Sequence, residues 1–480
     1  MRAIVVAATA LILFGVAFES HWFPLGLPSE WAWEPLSPES NFQPSSWFAF
    51  ALSFLLALGM AAGIFKALRV LGQSSRGWFL AAIGLACLLG SVFQLSVEIA
   101  SPTGLAKWCM FAGEGADGYY RHVRRNVPSV GHALREHAQF CATHCYPHLT
   151  TNPVGWVVVH RALLSFYEAW PAMARAAFGY ELAEMTQGYE DLVGVRLPYA
   201  DRASLMTIAY GSRLVGWMVG LPVAWLVWMR AGRNAALAAA AASYLIPASI
   251  MFAPRSDTAY PTVAALILAL SYYAVRRASW PAAAAAGALV AGGTMFSLCF
   301  SVVGVMAAVM VSLEFFERRH VDIKAVVAAS AGLALVLLIP LAFGYEPFRT
   351  WWMNLESNEK IIGDRSRWWA IANPIEMAVA MGLPVAIFLA FRVAADIRER
   401  RLDSLLIGWL AALSLLDLSG ASLGEVARLW IFAMPIGVAL GVERLDLSSR
   451  SGRLAIAGLV LLQAVSCILL SRQLVVMALA

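Results

Sequence analysis

Charge is what this sequence has least of. Only 14% of its 480 residues are Asp, Glu, Lys or Arg, against about 25% in a soluble domain. Sixty per cent are hydrophobic, 18 are Trp, and the mean hydropathy is +0.69. That excludes a soluble globular protein and indicates an integral membrane protein. The formal net charge is small, +5, and its arginines fall in short clusters between apolar runs. A nucleic-acid surface is therefore excluded too, and no nucleic-acid partner is expected. Cysteine is also scarce: six scattered residues make no disulfide scaffold. Cys87, Cys299 and Cys467 lie inside apolar runs, where a thiol behaves as a small hydrophobe. Also missing are a nucleotide loop of the Walker type, a long heptad series and an evident inverted repeat of broken helices of the kind found in many transporters.

What the chain does have is apolar runs. About thirteen are long enough to be read as membrane spans, near 3–18, 47–66, 78–98, 205–228, 235–252, 257–275, 279–296, 298–315, 325–343, 374–392, 404–418, 428–441 and 454–475. The first has a charged start and an apolar body, with no small-x-small cleavage site after it, and reads as an uncleaved anchor. With these spans every arginine cluster lands on one side: Lys66 to Arg76, Arg230 with Arg233, Arg276 with Arg277, Arg318 to Lys324, Arg398 to Arg401, and Arg444 to Arg453. By the positive-inside rule that side is the cytoplasm of a cell (plasma or inner) membrane. The expected fold is all-α and polytopic, in three parts: N-terminal membrane helices over 1–100, an extracytoplasmic segment of interfacial helices over 101–203, and a membrane bundle over 204–480 with an outer loop at 345–373.

The outward segments differ in composition. Residues 19–46 carry four Glu and no Lys or Arg, and 101–203 is too polar to cross and too long for a simple connector. Within it, Val154–Trp170 mixes aromatic and aliphatic residues with His160, Arg161 and Glu168, the pattern of a helix lying in the interface. Ionisable groups at a membrane edge are costly and count as functional candidates. Asp117, Arg255, Asp257, Glu425 and Arg428 all fall on the outer side. Their structural alternatives are a solvated loop acid for Asp117, a helix cap for Asp257 and a local i,i+3 pair for Glu425 with Arg428.

Four stretches, "GADGYYRHV", "HLTTNPVGWVVV", "GSRLVGW" and "APRSDTAYPTVAALIL", occur in an order that resembles the GT-C superfamily of lipid-dependent glycosyltransferases, in particular the protein mannosyltransferases and lipid A aminoarabinose transferases. The resemblance covers about 114–315, with "GEVARLWIF" as a weaker echo. The chain departs from the family pattern in having two extra spans before the first acid, and a single Asp117 followed by Gly118 instead of an Asp-Glu pair.

The resemblance implies a GT-C-like, inverting glycosyltransferase of the cell envelope, moving sugar from a polyprenyl-phosphate donor to an acceptor at the extracytoplasmic face. Membrane lipid and an acceptor of unassigned class are its partners. Such a reaction needs a base for the acceptor hydroxyl, for which Asp117 is the first candidate and Asp257 the second. It also needs cations for the departing phosphate, for which Arg255, Arg428 and Arg213 are candidates. Tyr119, Tyr120, His148 and Glu425 are expected to bind substrate. The two aspartates are expected to share one cavity, where they could jointly hold Mg²⁺ or Mn²⁺, though no metal ligand is assigned. In "HAQFCATHCYPHL" the spacing of His137, Cys141, Cys145 and His148 allows a structural zinc, and a disulfide from Cys109 to Cys141 or Cys145 competes with it. Two alternative functions stand beside this reading: an enzyme like the O-antigen ligases and polymerases, whose main outer loop usually comes late in the chain, and a transporter or flippase for lipid-linked sugar, which needs charges near the bilayer midplane.

Overall fold

The structure is a computed structural model and describes residues 2–19, 25–27, 30–33, 46–70, 75–113, 118–144, 146–178, 183–320, 322–401 and 403–473. It is a multi-pass helical membrane protein. The N-terminal helix α1 (Arg2–Glu19) is followed by a small antiparallel hairpin, β1 (Leu25–Leu27) and β2 (Trp31–Trp33), and two long helices, α2 (Trp47–Val70) and α3 (Arg76–Ala100). A layer of six shorter helices comes next: α4 (Lys107–Gly113), α5 (Tyr119–Asn126), α6 (Val130–Thr143), α7 (Gly155–Ala169), α8 (Pro171–Phe178) and α9 (Ala183–Val193). This layer corresponds to the 101–203 segment.

The rest is a bundle. It contains α10 (Tyr199–Trp217), α11 (Gly220–Ala231), α12 (Arg233–Ser243), α13 (Pro247–Met251), α14 (Tyr260–Arg277), α15 (Trp280–Thr294), α16 (Cys299–Arg318) and α17 (Ile323–Ala342). Then come α18 (Pro347–Ile362), α19 (Trp369–Met381), α20 (Leu383–Arg398), α21 (Ser404–Leu418), α22 (Val426–Leu429), α23 (Met434–Val442) and α24 (Arg450–Gln473). Helix starts are locally encoded: Ser75 accepts from the Trp78 amide, Asp322 from Lys324 and Ala325, and Asp403 from Leu406, the capping role of short polar side chains.

Among the described residues seven helices are long and apolar enough to cross a membrane, or eight if the bent pair α19 and α20 is one span. The expectation of about thirteen is therefore corrected. The reason is that apolar runs record burial, and burial in protein reads the same as burial in lipid. The 235–252 run forms α12 and α13, two short helices whose apolar residues are all buried; α12 is enclosed by α3, α11 and α23. The 428–441 run breaks into α22, a 3-10 turn at Ile431–Ala433, and α23. The 15 residues each of α15 and α21 rise only about 22 Å, short of a hydrocarbon core of about 30 Å. Helices α19 and α20 turn by 116° at Gly382, whose φ is +103°. The Gln463 amide fills that corner, donating to the carbonyls of Leu245 and Met381 and accepting from the Val385 amide. A broken helix inside protein needs such a partner for its freed backbone groups.

The long helices give the bundle two distinct ends. Helix α14 follows directly on Asp257 at one end and finishes with Arg276 and Arg277 at the other. Its 18 residues separate those ends by about 27 Å. At the arginine-rich end Arg230, Arg392 and Arg444 interlock with Asp396, Asp403 and Glu443 in a largely buried network. A reporter fused after Arg401 is expected to read cytoplasmic and one after Asn126 external; finding both on one side would overturn the orientation.

Candidate functional site

The site is built where α14 begins. The chain leaves α13, passes Arg255, and makes a 3-10 turn at Ser256–Ala259 that carries Asp257. The Arg255 carbonyl accepts from both the amide and the hydroxyl of Thr258, at 3.0 and 2.7 Å, which fixes the turn. Asp257 does not head α14 as a cap. It lies inside the turn, its Oδ2 3.7 Å from Nε of Arg428. Arg255 is largely buried, its guanidinium 4.5 Å from the centre of the Phe111 ring.

Arg428 is the centre of the cluster, with a side chain only 2% exposed. One terminal nitrogen donates to Nε2 of His148 at 2.9 Å and the other to Oε2 of Glu425 at 3.1 Å. Glu425 in turn lies 3.9 Å from Arg365, which also donates to the Leu423 carbonyl. Residues 148, 255, 257, 365, 425 and 428 thus come from four distant segments. Helix α22 is held in place from α19: Glu376 accepts from the Ala427 amide and from the Trp33 indole, and Asn373 bonds Gly424 and Ser422.

The His148 bond fixes a tautomer. A guanidinium only donates, so Nε2 must accept and the ring proton sits on Nδ1. Burial, followed by the Arg428 and Arg255 cations, holds the imidazole well below its ordinary pKa, so it is neutral and orients Arg428 without adding charge. The backbone agrees with a specialised role. Five non-glycine residues among those described have positive φ; Ala278, Arg319 and Arg400 close helices, whereas His148 and Glu425 both touch Arg428. Such conformations cost on the order of 1–3 kcal/mol each and concentrate at functional sites.

Of the expected substrate residues, Tyr119 is at this site: its hydroxyl donates to the His148 carbonyl at 3.2 Å and its ring stacks on His160. Tyr120 is not. Its hydroxyl donates to Asp201 at 2.6 Å, and Arg124 pairs with the same carboxylate at 3.3 Å. Burial and then the Asp201 carboxylate push the Tyr120 hydroxyl above its usual range. This is a lock between α5 and α10. Asp117 lies outside the described residues; the next residues in the chain, Gly118 at φ +58° and Tyr119, open α5.

Arg213 is also turned elsewhere. It pairs with Glu98, both side chains being fully buried, and donates to the Ser249 carbonyl. Trp108 donates to the second Glu98 oxygen at 3.0 Å, and Lys107 donates to the Ile250 carbonyl at 3.2 Å. Burial pushes the Lys107 ammonium down to about 8, against the pull of Glu98. This network supports the 249–250 backbone just before Arg255. Glu98 and Lys107 were missed by sequence reasoning, although an acid at the end of an apolar run was the available signal.

The proposed zinc set divides. His137 Nε2 lies 3.1 Å from the Asn152 carbonyl and 3.6 Å from the Cys141 sulfur, while His148 faces Arg428. Asn354 of α18 donates to the Thr150 carbonyl and approaches the same sulfur, tying α18 to the layer. Cys141 is a buried free thiol, so it forms no bridge with Cys109, and burial raises it to about 12; Cys145 lies outside the described residues. Among the described residues no group of three or more His, Cys, Asp or Glu side chains is placed to hold a metal ion. The neighbour of Asp257 is a guanidinium, which does not suit Mg²⁺ or Mn²⁺. The chain matches no known protein family, no curated protein and no solved structure.

Proposed function

We propose that this protein is a GT-C-like membrane glycosyltransferase that moves a sugar from a polyprenyl-phosphate donor to an acceptor at the extracytoplasmic face, with inversion at the transferred carbon. The observation that carries the reading is Arg428, buried yet oriented by His148, Glu425 and Asp257 at the bundle end opposite the arginine clusters. Among the described residues the cluster has Arg255, Arg365 and Arg428 against Asp257 and Glu425, with His148 neutral. Glu376 is a third acid beside Glu425 and Arg365, so what the cluster offers an anionic phosphate is the guanidinium donors of Arg428 and Arg255.

In the reaction the acceptor oxygen attacks the sugar carbon from the face opposite the phosphate. The carbon–oxygen bond to phosphate breaks, its electron pair leaves on the lipid phosphate, and the acceptor proton passes to a carboxylate. Asp117, two positions before Tyr119 in the chain, is assigned that proton. Asp257 is the weaker choice because Arg428 already faces its carboxylate. Arg428 and Arg255 stabilise the leaving phosphate, where charge develops. Tyr119 and His148 line the approach, and Glu425 with Arg365 holds the Arg428 fork in position.

The test is turnover of a polyprenyl-phosphate sugar by purified full-length protein in vesicles, followed as release of polyprenyl phosphate. Arg428→Lys is expected to raise the donor KM roughly tenfold or more, since an ammonium cannot reproduce the fork and a charged hydrogen bond is worth about 1.5–3 kcal/mol. Unchanged donor use would make Arg428 a structural charge, and passage of the lipid-linked sugar across the membrane without transfer would assign a transporter.

A further inference from the structure

The arginine-rich end of the bundle carries a second arrangement that the reaction does not use. Helix α17 packs on α15 through a seam of small residues: side chains at Gly287 or Gly332 would collide with the Ala329 or Ala284 carbonyls. Such seams bring helix backbones close within a membrane. The only buried residue of α17 is Ala325. Between α17 and the preceding helix α16 a groove of about 940 Å³ opens, floored by Ala283, Ala286 and Gly287 of α15 and reaching α14. Along α16 its walls run from Gly304 to Arg319, about 22 Å of helix, where one leaflet of hydrocarbon spans about 15 Å.

The groove ends in charge. Its lower walls, Val275, Phe315 and His320, are shared with an adjoining cavity of about 590 Å³ that is also lined by Arg276, Arg277 and Arg318. The one carboxylate lining that cavity, Asp322, is occupied in capping α17. Glu314 pairs with Arg276 at 3.1 Å and lies 4.0 Å from Arg318, which also donates to the Val275 carbonyl, so these two guanidiniums are fixed in place, while Arg277 lines the cavity beside them. Past Arg276 and Arg277 lies a third cavity, of about 1000 Å³, lined by Arg76, Arg230 and Arg233 with Trp225 and Trp228 and by no acid.

We propose that this is a binding site for an anionic glycerophospholipid, one acyl chain lying in the α15–α17 groove and the phosphate held by Arg277 and Arg318. The apolar part of the slot, Gly304 to Phe315 along α16, rises about 17 Å, close to one leaflet, and running into a basic pocket it fits that amphiphile; a free phosphate would leave the slot empty, and a polyprenyl chain far exceeds it. The site lies at the opposite end of α14 from Asp257 and is independent of the proposed reaction.

The experiment is native mass spectrometry of the full-length protein released from detergent after incubation with equimolar phosphatidylglycerol and phosphatidylcholine, with inorganic phosphate and a polyprenyl phosphate as separate arms. Wild type is expected to retain phosphatidylglycerol in preference. The double variant Arg277→Gln/Arg318→Gln is expected to lose that preference tenfold or more, at about fivefold per surface arginine. Ala308→Phe, which fills the exposed groove wall, is expected to lower retention while leaving the arginines intact. Equal retention of the two phospholipids, preference for the polyprenyl phosphate, competition by inorganic phosphate alone, or wild-type retention in both variants would each overturn the proposal. None of these readouts involves sugar transfer, so failure here is distinct from failure of the glycosyltransferase reading.

Discussion

An Asp117→Asn variant is expected to transfer sugar roughly 10²- to 10⁴-fold more slowly than wild type, the range a positioned general base contributes, with donor KM nearly unchanged. The amide keeps the size of the carboxylate but cannot take the acceptor proton. In the proposed reaction the phosphate is bound elsewhere, by Arg428 and Arg255, so the loss is expected in kcat. Asp257→Asn provides the contrast. Asp257 faces Arg428, so its loss alters the cation proposed to bind donor and is expected in KM. A kcat effect at Asp257 with none at Asp117 would reverse the two assignments, and wild-type turnover in both variants would remove the acid-base mechanism. The pH profile separates the roles further: the acidic limb of kcat should disappear with Asp117 and persist without Asp257.

Much of the cluster was legible because charge inside apolar sequence is conspicuous. Glu425 and Arg428 stand out in "GEVARLWIF", and Asp257 and Arg255 in "APRSDTAY"; the structure joins the two stretches. What sequence could not supply was partnership. Arg213 is as conspicuous as Arg428, yet its partner Glu98 lies 115 positions away, and only the fold shows that this guanidinium faces a carboxylate. Tyr119 and Tyr120 read as one motif, but neighbours on a helix point about 100° apart, so one meets His148 and the other Asp201. The His148 backbone conformation has no local signature, because non-glycine positive φ is imposed by the surroundings. The span count failed for a related reason: α12 and α23 are apolar because other helices enclose them, a fact absent from hydropathy.

The Glu98–Arg213 pair yields the largest expected change in stability. Both side chains are fully buried, and Lys107 is a second buried cation in the same network. Removing one member of a buried pair leaves the other as an uncompensated charge, at a cost of about 3–5 kcal/mol. Glu98→Ala does this and also removes the acceptor of the Trp108 indole. It further removes the one carboxylate opposing the fall of the Lys107 pKa, now about 8, so Lys107 is expected to lose its proton near neutral pH. The variant should melt well below wild type in detergent. Glu98→Ala/Arg213→Ala, which removes the stranded guanidinium as well, should recover part of the loss, and a double variant no more stable than Glu98→Ala alone would show that the pair is not the source. The same series decides what Arg213 does. If it serves the network, donor KM in the double variant stays near that of Glu98→Ala; if it binds the donor phosphate, Arg213→Ala alone raises donor KM while Glu98→Ala leaves stability intact.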